Sequence, residues 1–387
     1  MGFKIEDGVL IKYTEEEGVT KVVIPDEVTV IGNRAFAGRK NIESIVIPDS
    51  VTKIGNWSFR DCENLKEINI PDSVKSISKW AFSGTTWLKE YPDDMIIVGG
   101  TLIEYKGDAS DVVIPDNVKA IGEKAFFCYE NLKSITIPSS VETIGDGAFS
   151  HCKNLESITL PDSVTTIGDN AFYECENLKN VNLPESVKSI GRKAFYYCKN
   201  LESITIPDSV VLIGGGAFEA CINLKSVVLS KATSSIEHFA FSGCKKLENI
   251  TIPKSVVFIG GCAFEDCESL ETINIPEYTI SIENNAFSGC KNLKNISIAD
   301  SLTSIGDNAF EDCESLEEII IPDSVTSIGN NAFEDCKSLK SVAIPDSVMF
   351  IGEEAFDDCN KDLIIHASES SYAHRYAMIN NITFEIK

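Results

Sequence analysis

The sequence lacks the long apolar runs of membrane proteins and the short motifs of common enzyme classes. No stretch of 18 apolar residues occurs in its 387 residues. It has no G-x-S-x-G elbow, no phosphate-binding glycine loop and no H-E-x-x-H pair. It also has no C-x-x-C pair, and its four histidines are scattered, which argues against a zinc site. We therefore expect no catalytic residue, no cofactor, no metal and no membrane insertion.

Positive charge is scarce. The chain has 34 Lys and Arg against 59 Asp and Glu, a formal net charge of -25, which would repel nucleic acid and anionic lipid. Carboxylates follow the repeat, as in the pairs Glu265-Asp266 and Glu334-Asp335. Stacked carboxylates could hold calcium, but turn capping and solvation explain the same residues. Nucleic acid is thus not an expected partner, and calcium stays an alternative.

A 23-residue repeat accounts for most of the chain. One unit, residues 132–154, reads LKSITIPSSVETIGDGAFSHCKN. Its Phe recurs every 23 residues from Phe126 to Phe356, and an earlier run of three begins at Phe36, which makes fourteen units. A period in this range predicts a solenoid.

Each part of the unit predicts a local structure. The runs L-x-x-I-x-I and V-x-x-I indicate two short strands separated by a proline corner, so the fold is mainly β. Gly closes the second strand, as at Gly145, Gly168 and Gly191, which predicts a backbone position with positive φ. The A-F-x-x-C segment is short and predicts one turn of α- or 3₁₀-helix. Because a single unit buries too little apolar surface to fold, the units must stack.

The two ends and one internal segment depart from the repeat. Val9–Tyr13 and Val19–Ile24 look like the two strands of a hairpin that covers the first unit. Residues 100–116 parallel residues 8–26, so a second hairpin is inserted between Phe82 and Phe126. The end of the chain predicts a helix over 370–380 and a strand over 382–386. The expected parts of one continuous domain are an N-terminal hairpin cap (1–24), units one to three (25–86), the inserted hairpin (87–114), units four to fourteen (115–359) and a C-terminal cap (360–387).

The pattern C-x-x-L-x-x-I-x-I-P-x-S-V-x-x-I-G-x-x-A-F resembles the BspA-like, Treponema-type leucine-rich repeats over nearly the whole chain. The resemblance implies a right-handed leucine-rich repeat solenoid. It also implies a secreted or surface-attached bacterial protein of adhesin type, with host or bacterial proteins as partners, among them extracellular-matrix and plasma proteins such as fibronectin and fibrinogen, or glycans. No secretory signal follows Met1, and the resemblance favours an extracellular or surface location with the signal removed. A structural spacer or self-assembling surface component is the alternative, and the oligomeric state is left open.

Cysteine and charge also follow the repeat. Eleven of the thirteen cysteines share one position of the unit, which predicts reduced, buried thiols rather than disulfides. At the residue after the strand-opening Leu, Lys and Glu alternate between neighbouring units, as in Glu156, Lys179, Glu202 and Lys225. Strands about 4.8 Å apart would bring these charges together, so this ladder is expected to fix the register.

Residues that break the consensus are the candidates for partner binding. The tryptophans form one group, which either seats the inserted hairpin or anchors a partner. Aromatic residues just after the repeat Phe form a second group, expected as an exposed strip. Small polar residues in the first strands form a third, which would line the concave face and either bind or merely solvate the sheet. The candidates are, by group, Trp57, Trp80 and Trp87; Phe127, Tyr173, Tyr196 and Tyr197; and Thr136, Thr159, Asn182 and Thr205.

Overall fold

The computed structural model describes residues 2–78 and 80–386. Every unit contributes a first strand of three residues, whose middle residue faces inward in the burial pattern. The first strands are Lys21–Val23, Ser44–Val46, Glu67–Asn69, Asp111–Val113, Ser134–Thr136, Ser157–Thr159, Asn180–Asn182, Ser203–Thr205, Ser226–Val228, Asn249–Thr251, Thr272–Asn274, Asn295–Ser297, Glu318–Ile320 and Ser341–Ala343.

Every unit also contributes a second strand of two residues. They are Val30–Ile31, Lys53–Ile54, Ser76–Ile77, Ala120–Ile121, Thr143–Ile144, Thr166–Ile167, Ser189–Ile190, Leu212–Ile213, Ser235–Ile236, Phe258–Ile259, Ser281–Ile282, Ser304–Ile305, Ser327–Ile328 and Phe350–Ile351. Paired strands of neighbouring units run parallel with a shift of 23 residues, as in Ile144 beside Ile167. The predicted mainly β solenoid is therefore confirmed.

Both hairpins exist, but their strands are not those predicted. Val9–Tyr13 pairs antiparallel with Phe3–Glu6, whereas Lys21–Val23 joins the first strand of the next unit in parallel. In the inserted segment, Thr101–Tyr105 pairs antiparallel with Met95–Val98. Asp111–Val113 again joins the repeat. The prediction failed because the turns at Asp7-Gly8 and Gly99-Gly100, where every residue has positive φ, are shorter than the loops that the sequence pattern suggested.

The prediction of positive φ at the glycine that closes the second strand was wrong. Gly145, Gly168 and Gly191 do not have positive φ. Glycine is required there by close approach, since a Cβ on Gly191 would lie 2.4 Å from the carbonyl carbon of Gly168. Three units have another residue. Glu237 and Glu283 each follow a coil that carries an additional glycine beside this position, whereas Ser78 follows a coil that does not.

The predicted single helical turn in A-F-x-x-C was also wrong. Left-handed residues occur twice in each unit, two residues after the second-strand glycine position and again just before the cysteine position. In unit six they are Asn170 (φ 56) and Glu174 (φ 55). Between them, backbone N–H groups donate alternately to a carbonyl of the same turn and to a carbonyl of the next coil. The N–H group of Ala171 donates to Gly168 O at 3.4 Å, for example, and that of Phe172 to Ala194 O at 2.7 Å. The stacked coil thus replaces the i to i−4 bonds of a helix. We call this part of each unit the turn segment.

The core is a column of stacked phenylalanines. From Phe36 to Phe82, and again from Phe126 to Phe356, neighbouring ring centroids lie 5.1–5.6 Å apart with nearly parallel planes. Two clusters of buried residues result, one from Leu10 to Val98 and one from Leu102 to Ala377. The inserted hairpin lies where the column is interrupted and contributes to both clusters.

The cysteine column has a defined role. Each of the eleven repeat cysteines donates its S–H to the carbonyl oxygen of the repeat Phe in the preceding unit, as Cys198 does to Phe172 at 3.2 Å. All thirteen cysteines are free thiols. Burial raises the pKa of the Cys221 thiol to about 12, so these thiols stay protonated and act as donors.

The C-terminal end is covered by a helix and two strands. Helix α2, Tyr372–Ile379, begins after the N-cap Ser371 and buries Ala373 and Ala377. Ile364–Ala367 extends the first-strand sheet, and Thr383–Ile386 pairs with it in parallel. A short helix, α1 (Thr86–Lys89), precedes the inserted hairpin.

Candidate functional site

An aromatic strip runs along the turn segments of units two to seven. It consists of Trp57, Trp80, Phe127, His151, Tyr173, Tyr196 and Tyr197. Trp57 and Trp80 stack with centroids 5.8 Å apart, and Tyr173 and Tyr196 stack at 4.6 Å. All seven side chains are half-buried rather than fully exposed, because each ring packs against its neighbours.

The strip continues across the inserted hairpin. Trp80 belongs to the last unit before the insertion and Phe127 to the first unit after it, and their rings meet edge to face at 6.3 Å. Phe127 then contacts His151 at 5.4 Å, and His151 contacts Tyr173 at 5.3 Å. The insertion separates these residues in sequence, yet Trp80 contacts both the ring of Phe127 and the ammonium group of Lys124.

Sequence reasoning missed His151, which links the two halves of the strip. Its Nδ1 lies 3.0 Å from Oε2 of Glu174. His151 and Tyr197 occupy the left-handed position before the cysteine, whereas Trp57 and Trp80 occupy the first left-handed position. A search for aromatic residues, histidine included, at all turn-segment positions would have found it.

Cationic side chains lie over five of the rings, and Lys124 lies over two of them. The distances to the ring centroid are 4.9 Å for Arg34 on Trp57, 4.9 Å for Lys124 on Trp80, 5.6 Å for Lys124 on Phe127, 4.6 Å for Lys193 on Tyr196 and 4.2 Å for Lys199 on Tyr197. Each such contact stabilises the pair by roughly 0.5–1 kcal/mol at an exposed site. The strip is therefore a preformed row of rings and cations.

Carboxylates neutralise some of these cations. Glu176 lies between Lys199 at 2.8 Å and Lys153 at 3.4 Å, and the hydrogen bond from Lys199, with help from Lys153, lowers its pKa. Burial, followed by the neighbouring Tyr196 and Glu174, raises the pKa of Tyr173. Tyr173 thus presents a neutral hydroxyl group at neutral pH.

Trp87 lies apart from the strip. It packs on Phe82 with centroids 4.8 Å apart and on Tyr91 at 5.3 Å, and its N–H group on the main chain donates to Leu65 O at 2.7 Å. Trp87 lies in α1, directly before the inserted hairpin.

The polar candidates of the first strands also lie elsewhere. Thr136, Thr159, Asn182 and Thr205 are exposed, one on each of four successive first strands. They form a row of hydroxyl and amide groups along the sheet, not in the turn segments. The structure therefore separates the sequence candidates into the strip, Trp87 and this polar row.

Two open cavities interrupt the turn segments where glycine replaces a larger residue. One, of about 570 Å³, lies at Gly147 and is lined by Lys124, His151 and Tyr173 of the strip. The other, of about 690 Å³, lies at Gly214–Gly216 between Arg192 and Phe239. Within residues 2–78 and 80–386, no group of three or more His, Cys, Asp or Glu side chains is arranged to hold a metal ion, and no helix there is long and apolar enough to cross a membrane.

The comparisons with known proteins agree on the family. The family profile described as BspA type Leucine rich repeat region matches residues 12–126, 97–225, 211–336 and 257–385. The chain belongs to the BspA-type leucine-rich repeat family. A leucine-rich repeat protein from Bacteroides ovatus is 30% identical, with coverage of 100% of this chain and 97% of that one, at a TM-score of 0.57.

A further likeness is to a leucine rich cell surface protein from Faecalibacterium prausnitzii, 28% identical over 95% of this chain and 92% of that one, with a TM-score of 0.48. No curated protein matches the chain. Leucine-rich repeat proteins of this kind are generally non-enzymatic, and leucine-rich repeat proteins generally mediate protein binding.

Proposed function

We propose that the protein is a non-enzymatic binding protein of the bacterial surface or of the secreted fraction. In this proposal it acts as an adhesin-like molecule, and its aromatic strip contacts a host or bacterial protein, such as a component of the extracellular matrix. The BspA-type repeat supports the class of function. The continuous strip from Trp57 to Tyr197 is the observation that carries the choice of surface.

The composition of the strip suits a protein interface. Tyr, Trp and Arg are enriched at protein contacts, and rigid rings lose little conformational entropy on binding. The rings already contact one another and the cations above them, so association requires little rearrangement. Preorganisation of this kind favours affinity.

A binding screen against extracellular-matrix proteins, mucins and glycans tests the proposal. The informative variant is Tyr173→Ala/Tyr196→Ala, because these two rings stack on one another on the surface. Tyr278→Ala is the matched control, since Tyr278 is 59% exposed and lies outside the strip. We expect saturable binding that the double variant weakens at least about tenfold, which is usual for interface hot spots, and that the control leaves unchanged. A partner that binds both variants equally, or no binding partner at all, would contradict the proposal.

Self-association is the second candidate, because apolar side chains are exposed in the second strands and at the residues directly before them. Val211 is 59% exposed, Leu212 53% and Met349 70%. Analytical ultracentrifugation over a hundredfold range of concentration distinguishes the two candidates. A sedimentation coefficient that rises with concentration, and that Leu212→Ser/Met349→Ser abolishes, would favour a self-assembling surface component.

A further inference from the structure

We propose that the cavity at Gly214–Gly216 binds the carboxylate group of a ligand whose adjoining apolar group lies against Leu212 and Phe239. The inference builds on the proposed function, since it names the chemistry of one group that a partner could insert. The cavity has a volume of about 690 Å³. Main-chain donors, charged groups and apolar side chains surround it.

Elsewhere in the solenoid, the residue after the second-strand glycine position often accepts a hydrogen bond from the next coil. Oδ1 of Asp146 lies 2.9 Å from the amide nitrogen of Asp169, and Oδ1 of Asp169 lies 2.6 Å from that of Arg192. The same contact is made in a later unit, where Oδ1 of Asp307 lies 2.8 Å from the amide nitrogen of Asn330. Asn33, Asn284 and Asn330 accept the same contact through their amide oxygens. A side-chain oxygen is therefore a regular acceptor for the main-chain N–H group at this position, and the cations and open donors around the cavity favour a charged one.

The eighth unit has no side chain for this contact. Gly215 stands at the position of Asp146 and Asp169, so the N–H group of His238 on the next coil has no acceptor among the described residues. The N–H group of Gly215 has none either, because the preceding coil carries Arg192, which cannot accept. The cavity is thus bordered by two main-chain N–H groups, of Gly215 and His238, that have no acceptor among the described residues.

The tenth unit shows how a carboxylate fills such a position. Gly261 is the equivalent of Gly215, but its N–H group donates to Oε2 of Glu283 at 3.2 Å and to Nδ1 of His238 at 2.9 Å. Glu237 corresponds to Glu283, yet its carboxylate accepts from the hydroxyl of Ser235 at 2.7 Å instead. The chain therefore supplies a carboxylate acceptor to the Gly261 N–H group, whereas Glu219 and Glu237, which both line the Gly215 cavity, do not accept from the Gly215 N–H group.

Charge and apolar surface suit a carboxylate with an apolar neighbour. Arg192 is exposed at the rim of the cavity, and no ion pair is formed by it within the described residues. Lys193 offsets Glu219, whose Oε2 lies 3.3 Å from its ammonium group. Leu212 and Phe239 also line the cavity, where Leu212 is 53% exposed and Phe239 is 44% exposed. An anion here gains charge-assisted hydrogen bonds, and an apolar group beside it covers exposed hydrocarbon.

A pair of matched probes tests the inference on the full chain. N-acetyl-phenylalanine carries a carboxylate and a phenyl ring, and its primary amide has the same shape without the charge. We expect the acid to shift the NMR signals of the Gly215 and His238 amides saturably, with a dissociation constant in the millimolar range, and to bind about tenfold more tightly than the amide. Equal binding of the two, or no shift at these amides, would overturn the proposal.

Two substitutions locate the site. Gly215→Asp introduces the carboxylate that Asp146 and Asp169 provide in their units, so it should raise the melting temperature and at the same time abolish binding of the acid. Arg192→Gln should weaken binding several-fold without changing the fold. Gly147→Asn is the control, because it fills the separate cavity beside the strip and uses a residue that Asn170 already provides at this position. Unchanged binding to the Gly215→Asp protein would contradict the assignment.

A capped peptide distinguishes the source of the carboxylate. Acetyl-Gly-Asp-Phe-Gly-amide carries its only carboxylate on a side chain, as a protein partner would. Tighter binding of this peptide than of N-acetyl-phenylalanine assigns the cavity to an acidic side chain of a protein, and the reverse assigns it to a free carboxylic acid. Because these probes do not contain a partner protein, failure of the cavity proposal is separable from failure of the aromatic strip in the binding screen.

Discussion

At the scale of single residues, Thr233 is a buried irregularity. It stands where eleven of the fourteen units have Val, it is 1% exposed, and its hydroxyl has no hydrogen-bond partner among the described residues. A buried hydroxyl without a partner costs roughly 1–3 kcal/mol. Thr279 stands at the same position of another unit. It avoids this cost because its hydroxyl donates to Val256 O at 3.0 Å.

We therefore expect Thr233→Val to stabilise the protein by about 1 kcal/mol. Thr279→Val is the control and should be neutral or slightly destabilising, because it removes a hydrogen bond. The measurement is the urea midpoint of each variant. Equal effects of the two substitutions would show that the Thr233 hydroxyl is satisfied in solution.

The second-strand glycines give another residue-scale prediction. A Cβ on Gly191 would meet main-chain atoms of Gly168 and Asp169 at 2.4 and 2.5 Å, and main chain cannot move aside as a side chain can. We expect Gly191→Ala to lower the free energy of unfolding by about 2 kcal/mol, as overpacking does. Gly38 has φ +72 and no atom within 4 Å of an added Cβ, so Gly38→Asn should be nearly neutral. Thermal unfolding of the two proteins compares them, and similar losses would show that conformation, not close approach, selects glycine at position 191.

At the scale of elements, the cysteine column determines which thiols can react. Ten cysteines are buried, Cys262 and Cys359 are half-buried, and Cys128 is exposed at a left-handed position of the turn. Burial raises the pKa of Cys62 to about 11 and that of Cys221 to about 12, and thiolate is the reactive form. The column therefore acts as a row of inert donors.

Titration with a thiol reagent checks that the thiols of the column are unreactive in the native protein. We expect about one thiol to react rapidly in the native protein, and all thirteen in denaturant. Cys128→Ser should remove the rapid phase, whereas Cys198→Ser should leave it in place. Rapid reaction of several thiols in the native state would mean that the coils open readily, and fewer than thirteen after unfolding would indicate disulfides.

At the scale of the whole molecule, the inserted hairpin interrupts the phenylalanine column. The cluster from Leu10 to Val98 is smaller than the cluster from Leu102 to Ala377. In a solenoid, stability is a sum over units and their neighbour contacts, so a short segment is less stable than a long one. The three tryptophans all lie on the side of the smaller cluster, at Trp57, Trp80 and Trp87.

Tryptophan fluorescence should therefore report unfolding at a lower denaturant concentration than far-UV circular dichroism, which reports all units. Trp80→Phe/Phe127→Ala removes the ring contact across the insertion and should widen the separation between the two transitions. The control Tyr278→Ala should not change it. Coincident transitions in the unaltered protein would mean that the hairpin couples the two clusters into one cooperative unit.

The sequence by itself determined the solenoid, the period, the inward Phe and Cys positions and the C-terminal helix, because these follow from local patterns repeated fourteen times. Its charge alternation also predicted contacts that exist, such as Lys225 with Glu202 at 3.2 Å. Only the tertiary structure showed which strands form the hairpins, because the short turns at Asp7-Gly8 and Gly99-Gly100 are not distinguished by the strand pattern. It also decided why glycine closes the second strand, that Trp80 meets Phe127, that His151 joins the strip, and that Gly215 leaves main-chain donors open. Those latter features arise between residues of neighbouring coils, whose spacing in space is set by the stacking and not by the local sequence.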